Sequence, residues 1–259
     1  MGNAVGMVCG RIGEETPKYT LTKKADTFQI RRYQPSIIAE TTYATTEMGK
    51  NTSDAFRRLA NFIGVFSDAQ NRTHTGRSEK VAMTAPVLMA PSGSGASAAT
   101  GGGAETLETS MLGGAAQSRD LIPSGQGTMS FLLPSKYTSV ETAPTPTDSR
   151  VVLRLLPERI VAVRTFTWGL SEDNIRTNLQ ALVSDLAHDR EWQGDTTGHA
   201  ASGAEWCVAG YNAPFCLPWA RTNEVMVNVS PTKGAEVESA GASGSKGEGG
   251  QHAVSPPRL

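Results

Sequence analysis

Apolar and polar positions alternate with a period of two in several short runs and recur with a helical period in two longer ones. Thr27 to Tyr33 (TFQIRRY) sets Phe28 and Ile30 among polar neighbours, and after Pro35 the run Ser36 to Tyr43 (SIIAETTY) is rich in β-branched residues; the two read as a strand pair. From Ser53 the residues Phe56, Leu59, Ala60, Ile63 and Phe66 share one helical face, which predicts a first helix over Asp54 to Phe66 with Ser53 as its N-cap. Lys80 to Met89 (KVAMTAPVLM) reads as a strand that Pro86 places at an edge or a bulge. Met129 to Leu133, Arg150 to Leu156 and Arg159 to Trp168 are strand-like. A second helix is expected from Ser171, with Ile175, Leu179, Leu182, Val183 and Leu186 on one face, and Glu205 to Tyr211 and Glu224 to Val229 close the pattern as strands. Both halves run strand, amphipathic helix, strand, so a duplicated unit is expected, although the halves show no obvious identity. The expected fold class is α+β: a twisted, mostly antiparallel β-barrel or sheet with two flanking helices.

Two stretches have no period. Between Pro91 and Gly127 small residues dominate (PSGSGASAATGGGAETLETSMLGGAAQSRDLIPSGQG), and residues 91–127 are expected to be a disordered insertion. Closure entropy grows only logarithmically with loop length, so the insertion is tolerable if its ends meet at adjacent strand ends. Residues 231–259, containing GASGSKGEGGQ, read as a flexible tail and residues 1–14 as a flexible N-terminus, leaving one interrupted domain over 15–230.

Charge and motifs narrow the function by exclusion. Twenty-four basic against twenty-five acidic side chains leave a net charge of -1, too little field to gather nucleic acid or an anionic membrane. No run approaches the roughly 18 apolar residues of a membrane span, and no leader-like apolar region opens the chain, so a soluble, cytoplasmic monomer is expected. Cys9, Cys207 and Cys216 have neither disulfide-framework nor metal-finger spacing. The sequons at Asn51, Asn71 and Asn228 read as chance matches. The start MGNAVG offers Gly2 as a myristoyl acceptor, with Cys9 as a second acylation point, but Gly6 stands where the motif prefers Ser or Thr; weak membrane association is the most expected from it. HExxH, a GKS/T phosphate loop, GxSxG and CxxC are all absent from the sequence, so no catalytic residue is assigned.

Three segments, in this order, carry a resemblance: ETPKYTL (Glu15 to Leu21), SEKVAMTAPVLM (Ser78 to Met89) and AGYNAPFCLPWARTNEVMV (Ala209 to Val227). Together they resemble the SOUL/haem-binding protein family, its plant and algal branch most closely. The resemblance implies a twisted antiparallel barrel of two pseudo-repeats with two helices. It also implies a non-enzymatic carrier or buffer that binds haem or protoporphyrin reversibly in an open groove. In the family that groove lies between the first helix and the loop joining the last two strands, here Asp54 to Phe66 and Tyr211 to Arg221.

A tetrapyrrole needs apolar surface for its faces and cations for its propionates. On the helix, the stripe Arg57, Asn61, Gly64 and Val65 is expected to face the groove. Arg57 resembles the family's groove-rim arginine, suited to a propionate, and otherwise reads as a solvated charge. Gly64 admits two readings, close approach of a flat ligand or a frayed helix end. On the loop, Tyr211, Phe215 and Leu217 are the expected ligand-facing residues, with Phe215 read as a binding wall and Trp219 as a lid on the core. Arg32 stands where some relatives carry a histidine, and His74, His188, His199 and His252 read as exposed or in flexible segments, so no metal ligand is assigned; Tyr211 and Cys216 are the remaining alternatives. Rival readings are an effector-binding module for another apolar small molecule, similar to bacterial gyrase-inhibitor-type domains, a protein-interaction module, and a hydrolase whose nucleophile cannot be located.

Overall fold

The computed structural model describes residues 10–44, 48–91, 125–194, 206–213 and 215–232. In chain order the elements are β1 (Tyr19–Lys24), β2 (Gln29–Tyr33), β3 (Ser36–Ala44), α1 (Met48–Ile63), β4 (Asn71–Arg72), β5 (Val87–Pro91), β6 (Gln126–Leu132), β7 (Thr145–Pro146), β8 (Val152–Leu156), β9 (Arg159–Phe166), α2 (Glu172–Ala187), β10 (Trp192–Gly194), β11 (Trp206–Gly210) and β12 (Asn223–Pro231). One ten-stranded sheet runs β1-β2-β9-β12-β11-β5-β6-β3-β8, with β10 added to β12, and β4 pairs separately with β7. Every ladder is antiparallel. The result is a strongly curled half-barrel with two helices, the α+β class that the periodicity predicts.

The duplication appears in the strand order. The unit β3-α1-β5-β6 lays its strands β3-β6-β5, and β9-α2-β11-β12 lays its own β9-β12-β11, so the two meet at the β5–β11 seam, where Val87 faces Gly210. The strand leading each unit is exchanged: β2, which precedes β3, pairs with β9, and β8, which precedes β9, pairs with β3.

Alternation divides each strand between two cores. On one face α1 buries Ala55, Leu59, Phe62 and Ile63 against Ile37, Ala39, Met129 and Phe131. In the other unit α2 buries Ile175, Leu179, Leu182 and Leu186 against Ile30, Ala162, Val208, Val225, Val227 and Val229. The opposite, concave face closes on itself around Tyr33, Ile38, Leu88, Leu132, Leu156, Val161, Val163, Ala209 and Met226, a cluster without a helical residue.

Several boundaries differ from the sequence expectations. α1 starts at Met48 and stops at Ile63, not over Asp54 to Phe66. Ser53 is therefore inside the helix, and Phe66, assigned above to its core face, is 66% exposed while Phe62 takes the buried place. A serine inside a helix costs only a few tenths of a kcal/mol, too little by itself to set where the helix begins. Residues 80–86 are irregular, and the strand begins only at Val87, after a cis Ala85–Pro86 bond. β5 is also an interior strand, between β11 and β6; because Pro86 precedes it, the missing N–H is not asked of the ladder. Strands β5 and β6 extend to Pro91 and from Gln126, so the ends of the 91–127 stretch belong to the sheet. The rest of that stretch, most of the tail, Gly2, Cys9, His199 and His252 lie outside the described residues.

Candidate functional site

The helix side of the expected groove is built by the way α1 ends. Gly64 has φ 82°, its N–H bonds to the carbonyls of Ala60 and Asn61, and the Val65 N–H returns to Ala60 at 3.0 Å. This is a left-handed C-terminal cap in which glycine is favoured because it has no Cβ. The remaining terminal carbonyls are also occupied: Asn61 accepts from the Gln70 N–H, Phe62 from the buried Asn71 side chain at 2.8 Å, and Ile63 from the Val81 N–H. Gly64 thus lies beyond the last helical residue, and a Cβ there would come within 2.9 Å of the Ala69 methyl. What approaches its backbone is the protein's own 69–70 turn.

Of the helix stripe, Arg57 is exposed and paired with Asp54 at 3.2 Å, Asn61 is half-buried, and Val65 is 39% exposed beside Phe66. The chain from Val81, bonded to the end of α1, to Val87, paired with Gly210 at the root of the 211–222 loop, spans at most about 22 Å. Met83, 36% exposed, lies within that connection.

The loop is tethered on its other side. Asn212 Nδ2 donates to the Gly10 carbonyl, and its Oδ1 accepts from the Thr222 N–H at 2.6 Å. The Trp168 N–H donates to the Pro218 carbonyl and Asn223 Nδ2 to the Trp168 carbonyl. So held, the loop exposes Phe215 (61%) and Trp219 (60%), leaves Leu217 half-buried and buries Cys216. The exposure of Trp219 is unlike the core lid expected from sequence. Among the described residues no hydrogen bond or ion pair joins Arg57, Asn61, Gly64 or Val65 to Tyr211, Phe215 or Leu217.

Tyr211 belongs to a different environment. Its hydroxyl donates to Glu224 Oε2 at 2.7 Å on the concave face, where Arg31 Nη1 donates to Glu224 Oε1 at 2.9 Å and to the Tyr33 hydroxyl at 3.0 Å. The Arg31 guanidinium also lies 4.6 Å from the centre of the Tyr19 ring. Burial pushes the Tyr211 phenol well above its ordinary value, and the adjacent Glu224 carboxyl acts the same way. For Arg31 burial acts downward, but Glu224 with Tyr33 and Tyr19 outweighs it and the guanidinium is held above its usual value. Neither Arg31 nor Glu224 is among the site residues expected from sequence: Arg31 stands beside Arg32 in a largely polar run that hides it, whereas Glu224 is the one charged residue of the valine-rich β12, a signal that marks it.

His74 and His188 are exposed, the latter with Nδ1 on the Ser184 carbonyl. Among the described residues there is no group of three or more metal-ligating side chains and no helix long and apolar enough to cross a membrane. A separate open cavity of about 240 Å³ lies at the β2–β3 turn, floored by Ile37, Leu132, Leu133 and Leu155.

Residues 14–228 match the family model described as SOUL heme-binding protein. No curated protein matches the chain significantly in sequence. Among solved structures, a crystal structure of a hydrolase from Listeria innocua aligns over 81% of this chain and 94% of its own, at 11% identity and a TM-score of 0.45. The EcmrR C-terminal domain aligns over 83% and 99%, at 6% identity and a TM-score of 0.44. SAV2435, solved bound to tetraphenylphosphonium, aligns over 78% and 93%, at 8% identity and a TM-score of 0.38. At such scores these likenesses carry no argument about what the chain does.

Proposed function

The chain belongs to the SOUL heme-binding protein family, and from that premise we propose that it binds haem or a related tetrapyrrole reversibly, as a carrier or buffer that performs no chemistry on it. The observation that carries the reading is the set of large apolar side chains left in solvent near the α1 end and on the 211–222 loop: Val65, Phe66, Met83, Phe215 and Trp219. Burying such side chains is what a flat apolar ligand gains from. The open cavity of about 240 Å³ is smaller than the roughly 300–1,000 Å³ of enclosed small-molecule sites. A surface groove therefore suits this ligand better.

The available chemistry favours loose holding. A face burying about 300 Å² of apolar area gains on the order of 7 kcal/mol before association costs. Arg57 is exposed, and its surface pair with Asp54 is cheap to exchange for a propionate. Tyr211 is engaged by Glu224 and Cys216 is buried, so neither is presented to an iron on the loop surface. The iron then adds little.

Haemin titration followed by the Soret band tests the proposal. Saturable binding is expected, with metal-free protoporphyrin within about tenfold of haemin, or 1.4 kcal/mol, and Arg57→Glu should weaken both alike. Absence of a saturable Soret shift would overturn the reading. Haemin binding about a thousandfold tighter than the metal-free ring would replace the loose groove by a ligated one.

A further inference from the structure

Trp168 is the one non-glycine residue with positive φ among the described residues, at 74°. A bulky L side chain adopts this backbone only under constraint. The constraint is visible. The Trp168 N–H donates to the Pro218 carbonyl at 2.8 Å, and its own carbonyl accepts from Asn223 Nδ2 at 2.9 Å. On either side, Asn174 Nδ2 donates to the carbonyls of Thr167 and Gly169, at 3.0 and 2.9 Å. Asn223, which holds Trp168, is itself buried within β12.

The strain secures little packing, because Trp168 is 59% exposed. A glycine at 168 would accept this backbone without steric cost, and one stands immediately after it at 169. A strained backbone that presents a large aromatic ring to solvent is the pattern expected where the ring serves a ligand and not the fold. Trp219 follows the proline whose carbonyl receives the Trp168 N–H, so the two indoles leave the backbone from hydrogen-bonded neighbours, and both are exposed.

We infer that Trp168 and Trp219 together form the aromatic platform on which the tetrapyrrole lies, on the β9–α2 side of the 211–222 loop. This rests on the tetrapyrrole reading above and adds to it a residue, Trp168, that neither the helix stripe nor the loop motif contains. The left-handed backbone at 168 holds the indole outward, ready for a flat π-face.

The test separates affinity from stability. Trp168→Gly is expected to melt at or above the wild-type temperature, because strain is relieved and little burial is lost, while haemin and metal-free protoporphyrin each bind at least tenfold more weakly. Trp168→Asn, which also tolerates the left-handed conformation, should behave alike, and Trp219→Ala should weaken both porphyrins. If the wild type binds haemin and both Trp168 variants bind within twofold of it, the platform is wrong while the tetrapyrrole reading stands. If the wild type shows no saturable Soret shift, both fall together.

Discussion

The most consequential single side chains inside the barrel are Arg31 and Glu224, 4% and 2% exposed, from strands that are not neighbours in the sheet. Withdrawing two charges from water is costly, and their attraction repays it only when the remaining polar atoms are satisfied. Here Gln29 accepts from Arg31 Nε, Tyr33 from Nη1, and Tyr211 donates to the second carboxylate oxygen. Tyr33 is pushed up to about 12, chiefly by burial and then by Glu224, so it stays a neutral phenol at physiological pH. Arg31→Met would strand the Glu224 charge and is expected to cost about 3–5 kcal/mol in urea unfolding, whereas Arg31→Met with Glu224→Leu should recover much of the loss. A single-variant cost below about 1 kcal/mol would mean that water reaches the pair.

For the elements, how α1 stops matters more than how it starts. Its last four carbonyls are taken by the glycine cap, the Gln70 and Val81 N–H groups and the Asn71 side chain, which ties the helix end to the segment leading into β5. Gly64→Ala would force a Cβ into the left-handed region and to within 2.9 Å of Ala69, and should destabilise the domain by at least about 1 kcal/mol. Porphyrin affinity, measured on the folded fraction, should not change. If instead affinity falls while the melting temperature holds, the glycine serves close approach of a flat ligand, the other reading its composition allowed.

Across the whole molecule, the two units meet at the β5–β11 seam and exchange their leading strands, so neither unit's sheet is complete without the other. The long stretch between β5 and β6 joins strands that are paired to their ends, with Pro91 opposite Gly127. Its closure is therefore already made by the ladder, and the closure entropy of a free loop grows only slowly with length. Replacing residues 92–124 by a short hairpin loop should move the melting temperature by no more than about 4 °C, the equivalent of roughly 1 kcal/mol in a domain of this size. A larger fall would show that part of this stretch packs on the core.

What the sequence determined by itself was local. The period of two placed Val225, Val227 and Val229 on one face of β12 and Met226 on the other, and they enter different cores accordingly. Ser171 and the spacing Ile175, Leu179, Leu182, Leu186 marked the start and buried face of α2; that Ser171 caps the helix, its side chain accepting the Asn174 N–H, is seen in the structure. Motifs in order carried the family. Strand order, the exchange of β2 and β8, the end of α1 at Gly64 and the outward Trp168 depended on contacts between residues far apart in the chain. Gly64 is a cap because the 69–70 turn and Val81 close over the helix end, and Trp168 is strained because Pro218 and Asn223 hold it. Hydrophobic period reports which face of an element is buried, since that is a property of neighbouring residues. Which partner buries it, and which aromatic is left in water, are decided only when distant segments meet.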